Sequence, residues 1–417
     1  MLEDPANLEA WKALFSNPEF WKLASIPFVA AVVGWVTNWV AIKLTFRPLE
    51  FVGIRPIFGW QGIIPAKARK MAEIFVDSTM YRLGTLPELF ARMEPEVVSD
   101  HITRVMDGRL RGFTDEIMFL EAPTLWRATP TVVKHRIYAR VRETMPQLVD
   151  QLMEELTQNV EEVIDFKEMI AGQLERDKEL LNRLFLEAGE KEFKFLIRSG
   201  LYFGFPFGLL QLGVWIFHRE VWVLPVFGLL VGWATNWIAI NLIFRPLHPV
   251  TIGRHRIQGL FLQRQKEVAA AWCRLVTSEI VTVQRFSDQM LRGPRSELAH
   301  RLIREHIRPV VDEVIGVIKP VARLTLGADA LQRIEASAAE KAVEVSADPF
   351  DDWAFNEDRA RLVERLLRER MESMPPDEFQ DLLRPCFQED ELKLILVGAA
   401  LGFAAGLAQL IFVFGGL

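Results

Sequence analysis

The chain has 417 residues, of which 50% are hydrophobic and 25% charged, and a formal net charge of −6. An acidic balance spread along the chain excludes a nucleic-acid partner, which requires a basic face. So high an apolar share in so charged a chain means that the apolar residues are concentrated in particular segments.

Residues 1–22 read as an N-terminal tail in which Glu3, Asp4, Glu9 and Glu19 face only Lys12 and Lys22. A secretory signal needs a positive start, so the apolar run that follows is expected to stay as an anchor. Residues 23–46 form that first span, long enough to cross ~30 Å of hydrocarbon at 1.5 Å per residue. It contains the stretch GWVTNWVAIKLTFRP. On a helix, Gly34, Thr37, Asn38, Ala41 and Thr45 share one face, and Trp35, Trp39, Ile42 and Phe46 share another. The small and polar face is expected to meet protein and the bulky face lipid, because small residues let helices approach and a buried amide bonds across the contact.

Phe46-Arg47-Pro48 closes the span, since a proline drives the residue before it out of α geometry. Arg47 is placed to hold a lipid phosphate. Next comes QGIIPAKARKMA, with Gly62 at a turn, Pro65 at a helix start and Lys67, Arg69 and Lys70 facing an anionic surface. The polar region 47–198 is expected to be helical throughout, punctuated by prolines at 87, 95, 123, 130 and 146. Within it Ile137, Val141, Met145, Leu148, Leu152, Leu156, Val160 and Val163 repeat at helical spacing, as one long amphipathic helix or two stacked near Pro146. Such a stripe is either helix-on-helix core or the wall of an acyl-chain groove.

Residues 199–217 form the second span, with Gly200, Gly204, Gly208 and Gln211 on one face. Only His218, Arg219 and Glu220 separate it from a third span, 221–244, where GWATNWIAINLIFRP matches the opening stretch at eleven of fifteen positions, 198 residues on. Gly232, Thr235 and Asn236 recur there, followed by Arg245, Arg254 and Arg256 as headgroup candidates. The second polar region, 245–392, carries its own stripe: Leu298, Leu302, His306, Val310, Val314, Ile318 and Val321, widened by Ile303, Ile307, Val311 and Ile315. The best strand signal is Ile280 to Val283. The fourth span, 393–417, repeats the glycine face as Gly398, Gly402, Gly406 and Gln409.

The chain thus reads as a tandem duplication, an all-α integral membrane protein with four transmembrane helices in two parallel hairpin units. Two crossings per unit put both polar regions on one side, which basic residues beside the spans mark as cytoplasmic, with both termini periplasmic. Counting depth from Phe46 and Ser199 as membrane edges brings Asn38 and Gln211 together near mid-membrane. With their repeats, Asn38, Gln211, Asn236 and Gln409 are then expected to ring one axis.

No HExxH, GxSxG, P-loop or dinucleotide fingerprint is present. His300 and His306 lie about 120° apart around a helix, so they do not share a metal, and Cys273 and Cys386 have no CxxC spacing. No enzyme activity, cofactor or metal is expected.

The sequence G-W-x-T-N-W-x-A-I, followed by F-R-P-L and Q-G-I-I-P and a closing G-x-x-x-G-x-x-x-G-x-x-Q helix, resembles the YheB/YjiN family of bacterial membrane proteins, domain of unknown function 445. The resemblance covers both ends of both units and implies a bacterial inner-membrane protein with a helical domain between anchors, and no activity. The reading is a non-catalytic envelope protein engaged in membrane organisation or lipid handling, with membrane lipids and a homo-oligomer or envelope protein as partners. Its alternative is an ion or small-solute transporter built on the intramembrane amides.

Overall fold

A computed structural model describes residues 16–54, 58–253, 255–316 and 328–415. Arg254, Ile318 and Val321 lie outside the described residues, as do the side chains of Arg256 and Cys386.

The fold is all-α. Four helices are long and apolar enough to cross a membrane: Pro18–Phe46, Glu190–Phe217, Val223–Phe244 and the Glu391–Phe414 part of a helix that starts at Pro376. We call them spans one to four. Span one starts where the Asn17 side chain accepts the Glu19 N–H at 2.9 Å, with Pro18 in the first turn, whose N–H has no helical partner in any case. It stops at Arg47, which is extended (φ −136°, ψ 150°) ahead of Pro48; Arg245 ends span three in the same way (φ −132°, ψ 150°).

The chain divides into two compact units. The first comprises the residues up to Thr79, Leu174–Trp272 and those from Met371 onward; the second comprises Met80–Gln173 and Cys273–Arg370. Each polar region therefore contributes its ends to the first unit and its middle to the second.

In the first unit, span one packs along span two and span three along span four, and spans two and three also touch. The backbones are close enough that a Cβ on Gly200 would lie 2.3 Å from the carbonyl of Gly34, and one on Gly232 would lie 2.2 Å from the Gly398 oxygen. Only glycine permits this approach. Trp35, Trp39, Trp233 and Trp237 are exposed on the outer face, as expected of lipid-facing residues. Ile42 and Phe46, placed on that same face by helical spacing, are instead buried. At their level the protein itself covers the helix: Phe46 stacks edge-on against Phe193 at 5.2 Å, and the backbone at Gly62 crosses the end of span one.

Among the described residues the strands are two three-residue antiparallel hairpins, Val52–Ile54 with Phe58–Trp60 and Val250–Ile252 with His255–Ile257. Each directly follows a span. Ile280 to Val283, the best strand signal, is no strand. The Thr282 hydroxyl accepts the Arg285 N–H at 3.1 Å and caps a helix, Val283–Arg292, so β-branched content is overridden by capping.

The second unit is built of amphipathic helices. Thr131–Gln158 is one continuous helix despite Pro146, and Ser296–Gly316 carries the second stripe. A Thr85–Glu88 capping box starts the helix Leu86–Arg92. At one end of the unit Met118, Ala122, Trp126, Ile137 and Ile334 form a core cluster. Asp115 anchors it, accepting from the Trp126 indole at 3.0 Å and the Tyr138 hydroxyl at 2.5 Å. Burial, and then the Asp115 carboxylate, push the Tyr138 phenol above its ordinary value.

Candidate functional site

The intramembrane polar residues come first. Asn38 is fully buried, and its amide donates to the Leu196 carbonyl at 2.8 Å and lies 3.5 Å from the Ser199 hydroxyl. Asn236 repeats the contact, donating to the Leu394 carbonyl at 3.1 Å. Thr37 and Thr235 bond back to their own helices, at Gly34 (3.0 Å) and Val231 (2.8 Å).

The expected meeting of Asn38 with Gln211 does not occur, because the second helix begins at Glu190 rather than at Ser199. Gly34 faces Gly200, Ala30 faces Gly204 and Pro27 faces Gly208. In that antiparallel register Asn38 falls opposite Leu196 and Gln211 lies toward the other end of span one. Gly228 against Gly402, Gly232 against Gly398 and Leu224 against Gly406 give the same register 198 residues later. The four amides therefore do not ring one axis. The asparagines each tie one helix pair, for about 0.6 to 2 kcal/mol apiece. Gln211 and Gln409, with Thr37, line a cavity of about 10 Å³, roughly the room one water needs. The Gln409 Nε2 has no partner there.

The second group is the basic residues beyond the spans. Arg47 donates to Glu179 at 2.9 Å with both side chains about half exposed, and Arg69 donates to Glu73 and Glu175 at 3.0 and 3.2 Å. Lys67 and Lys70 are engaged as well. Arg245 is exposed and, among the described residues, makes no ion pair. Exposed pairs of this kind contribute about 0–1 kcal/mol, so a phosphate can replace the carboxylate at little cost.

Two features here escaped sequence reasoning. Asn182 donates to the Phe46 carbonyl at 2.7 Å, and Gln380, with its amide turned to satisfy both neighbours, donates to the Phe244 carbonyl at 2.8 Å. Each closes the open carbonyl end of a span. They stand 198 residues apart, inside the echo between residues 181–197 and 379–395, which was the available signal. Arg264 donates from Nη1 to both oxygens of the buried Glu192, at 2.7 and 2.8 Å. Burial alone would lower the Arg264 guanidinium, but the bonds it donates to Glu192 and Glu267 outweigh it and hold it above its ordinary value.

The third feature lies in the second unit. The two apolar stripes do not close on each other. Ile137, Val141, Met145, Leu148, Leu152 and Leu156 from one helix, with Ile303, Ile307, Val310, Val311 and Val314 from another, line a cavity of about 240 Å³. Met106, Leu110, Phe113, Ile117 and Ile334 complete much of the wall. The few polar groups at its edge include Ser287, buried with an unpartnered hydroxyl, and Lys341, bound to Glu116 and Glu344 at 3.0 and 3.2 Å. The wall is otherwise almost wholly apolar. His300 contacts the Leu291 carbonyl at 2.9 Å, and His306 contacts the Leu302 carbonyl at 2.9 Å and the Glu155 carboxylate at 3.3 Å.

Sequence comparison finds similar bacterial proteins named UPF0754 membrane protein. One from Exiguobacterium sibiricum is 33% identical over 86 residues, 20% of this chain and 23% of the relative. One from Microcystis aeruginosa is 36% identical over 74 residues, 17% of this chain and 18% of the relative. One from Geobacillus kaustophilus is 26% identical over 162 residues, 35% of this chain and 40% of the relative. The matches span from about a fifth to two fifths of these relatives' length. No protein-family model matches the chain, and no solved structure does. With the four apolar helices, these similarities support a membrane protein.

Proposed function

We propose that this is a non-catalytic lipid-handling protein of the bacterial inner membrane, in which the helical unit shelters a hydrocarbon chain. The cavity carries this reading. Engineered cavities of ~150 Å³ with similar walls stay dry and take apolar guests, and this one holds about 240 Å³. The space is a partly open cleft rather than a sealed void, so the ~24 cal/mol per Å³ of a sealed cavity is an upper limit on what a guest recovers there. An apolar guest recovers the lost contacts. The exposed Arg245 and the exchangeable Arg47 pair give a headgroup somewhere to dock during transfer to or from the bilayer.

The same proposal takes the chain as two copies of one hairpin unit, related to the YheB/YjiN proteins, with helical regions in the cytoplasm and termini in the periplasm. The recurrence of the helix register, the asparagine contacts and the Asn182 and Gln380 caps at an interval of 198 residues supports the duplication. The transporter alternative draws less support, since the space lined by Gln211 and Gln409 has room for about one water.

The test is native mass spectrometry of the full chain purified in mild detergent. Wild type is expected to carry a lipid or fatty acid that Val141→Trp with Ile307→Trp excludes. Equal lipid on both proteins, at normal thermal stability, rejects the reading.

A further inference from the structure

Three large apolar side chains stand out of one end of the second unit: Leu120 at 70% exposure, Val132 at 65% and Phe119 at 47%. They belong to the end of the helix Leu110–Glu121 and the start of Thr131–Gln158, joined by the short helix Pro123–Ala128. The Lys134 ammonium ties these elements together, lying 5.9 Å from the Phe119 ring and 4.8 Å from that of Trp126. Beneath them is the Trp126 core cluster, so the apolar residues sit on a packed base rather than on a loose loop.

The charge of this end opposes that of the whole chain. Residues 119–136 carry Arg127, Lys134 and Arg136 against Glu121 alone, in a chain of net charge −6. Glu121 is itself neutralised by Arg333 at 3.3 Å, with only 14% of its side chain exposed. Among the described residues, Arg127 and Arg136 make no ion pair and both are exposed. Apolar side chains that project among unpaired cations are the composition of an interfacial membrane contact: hydrocarbon inserts and the basic groups meet anionic headgroups.

We propose that this basic and apolar end, built on Phe119, Leu120, Arg127, Val132 and Arg136, docks onto an anionic lipid surface. It is a second membrane contact, separate from the four spans, on a base that shares Ile137 and Ile334 with the cavity wall. Anchoring through two weak signals gives reversible contact, and each basic residue near an anionic surface strengthens binding roughly five-fold.

The experiment uses the full chain in phosphatidylcholine nanodiscs and follows its flotation with added vesicles. Vesicles of 30 mol% phosphatidylglycerol in phosphatidylcholine should capture the protein and pure phosphatidylcholine vesicles should not, with capture declining as salt rises. Arg127→Gln with Arg136→Gln should weaken capture roughly 25-fold, the product of two such losses. Leu120→Ser with Val132→Ser should weaken it at all salt concentrations. All four residues are exposed, so thermal unfolding should be unchanged. Equal capture by both vesicle types, or capture unaltered in both variants, overturns the proposal. So does a change in oligomeric state in the variants without any dependence on phosphatidylglycerol, which would identify the end as a protein interface.

Discussion

The helix contacts of the membrane unit predict opposite effects for the same substitution at two glycines of one helix. At Gly200 an added Cβ would lie 2.3 Å from the Gly34 carbonyl carbon and oxygen, and 2.6 Å from the Trp35 nitrogen. Ordinary van der Waals contact begins near 3.4 Å, and the obstruction is backbone, so spans one and two must separate by about 1 Å. Overpacking of this kind costs about 1–3 kcal/mol, against a helix-propensity gain of at most about 1 kcal/mol for glycine to alanine. Parting the helices also strains the Asn38 bond to Leu196, four residues along. At Gly213 nothing lies within 4 Å of the added carbon, so only the propensity gain remains. Gly200→Ala should therefore destabilise and Gly213→Ala should leave stability equal or higher. Reversible unfolding of the full chain in mixed micelles, followed by helical circular dichroism, reads the sign directly. Destabilisation of the same size at both positions would refute the close-packed register.

Further predictions concern the charged groups. Glu192→Gln takes the buried carboxylate from Arg264 and leaves it only the exposed Glu267, which should cost about 1–3 kcal/mol, whereas Glu190→Gln, which removes an exposed pair with Lys194, should change stability by less than about 0.5 kcal/mol in the same unfolding assay. Hydrogen bonds from Arg370, and then from the Thr85 N–H, hold the Glu88 carboxyl down to about 2. A depressed carboxylate stabilises fully above its unfolded value of 4.5 and loses that stabilisation as pH falls toward 2. An acid titration of wild type should therefore show extra loss of stability between these values, and Glu88→Gln should flatten it there.

Much of this architecture was legible in the sequence because hydropathy and small-residue spacing report directly on membrane helices. The glycine faces at Gly34, Gly200, Gly204 and Gly208, and their repeats, fell where spacing put them. What failed was depth. The run of charges from Glu190 to Arg198 hides a helix that continues unbroken into span two, so apolar length misplaced the partner of Asn38. Burial of Ile42 and Phe46 was equally hidden, because helical spacing fixes a direction and not what stands there. Arg47 and Arg69 looked free for lipid, yet their carboxylate partners Glu179 and Glu175 are more than a hundred residues away in sequence. The stripes from Ile137 and Leu298 were correctly apolar, but periodicity does not distinguish a sealed core from the wall of a cavity.

A fluorescence titration tests most directly whether that cavity takes a hydrocarbon chain. A polyene fatty acid, whose emission rises on leaving water, is added to the full chain in zwitterionic nanodiscs against matched empty nanodiscs. One saturable site per chain is predicted, insensitive to salt, displaced by a saturated fatty acid and lost in Val141→Trp with Ile307→Trp. No saturable binding beyond that of the empty nanodiscs, or a site untouched by filling the cavity, would contradict the account.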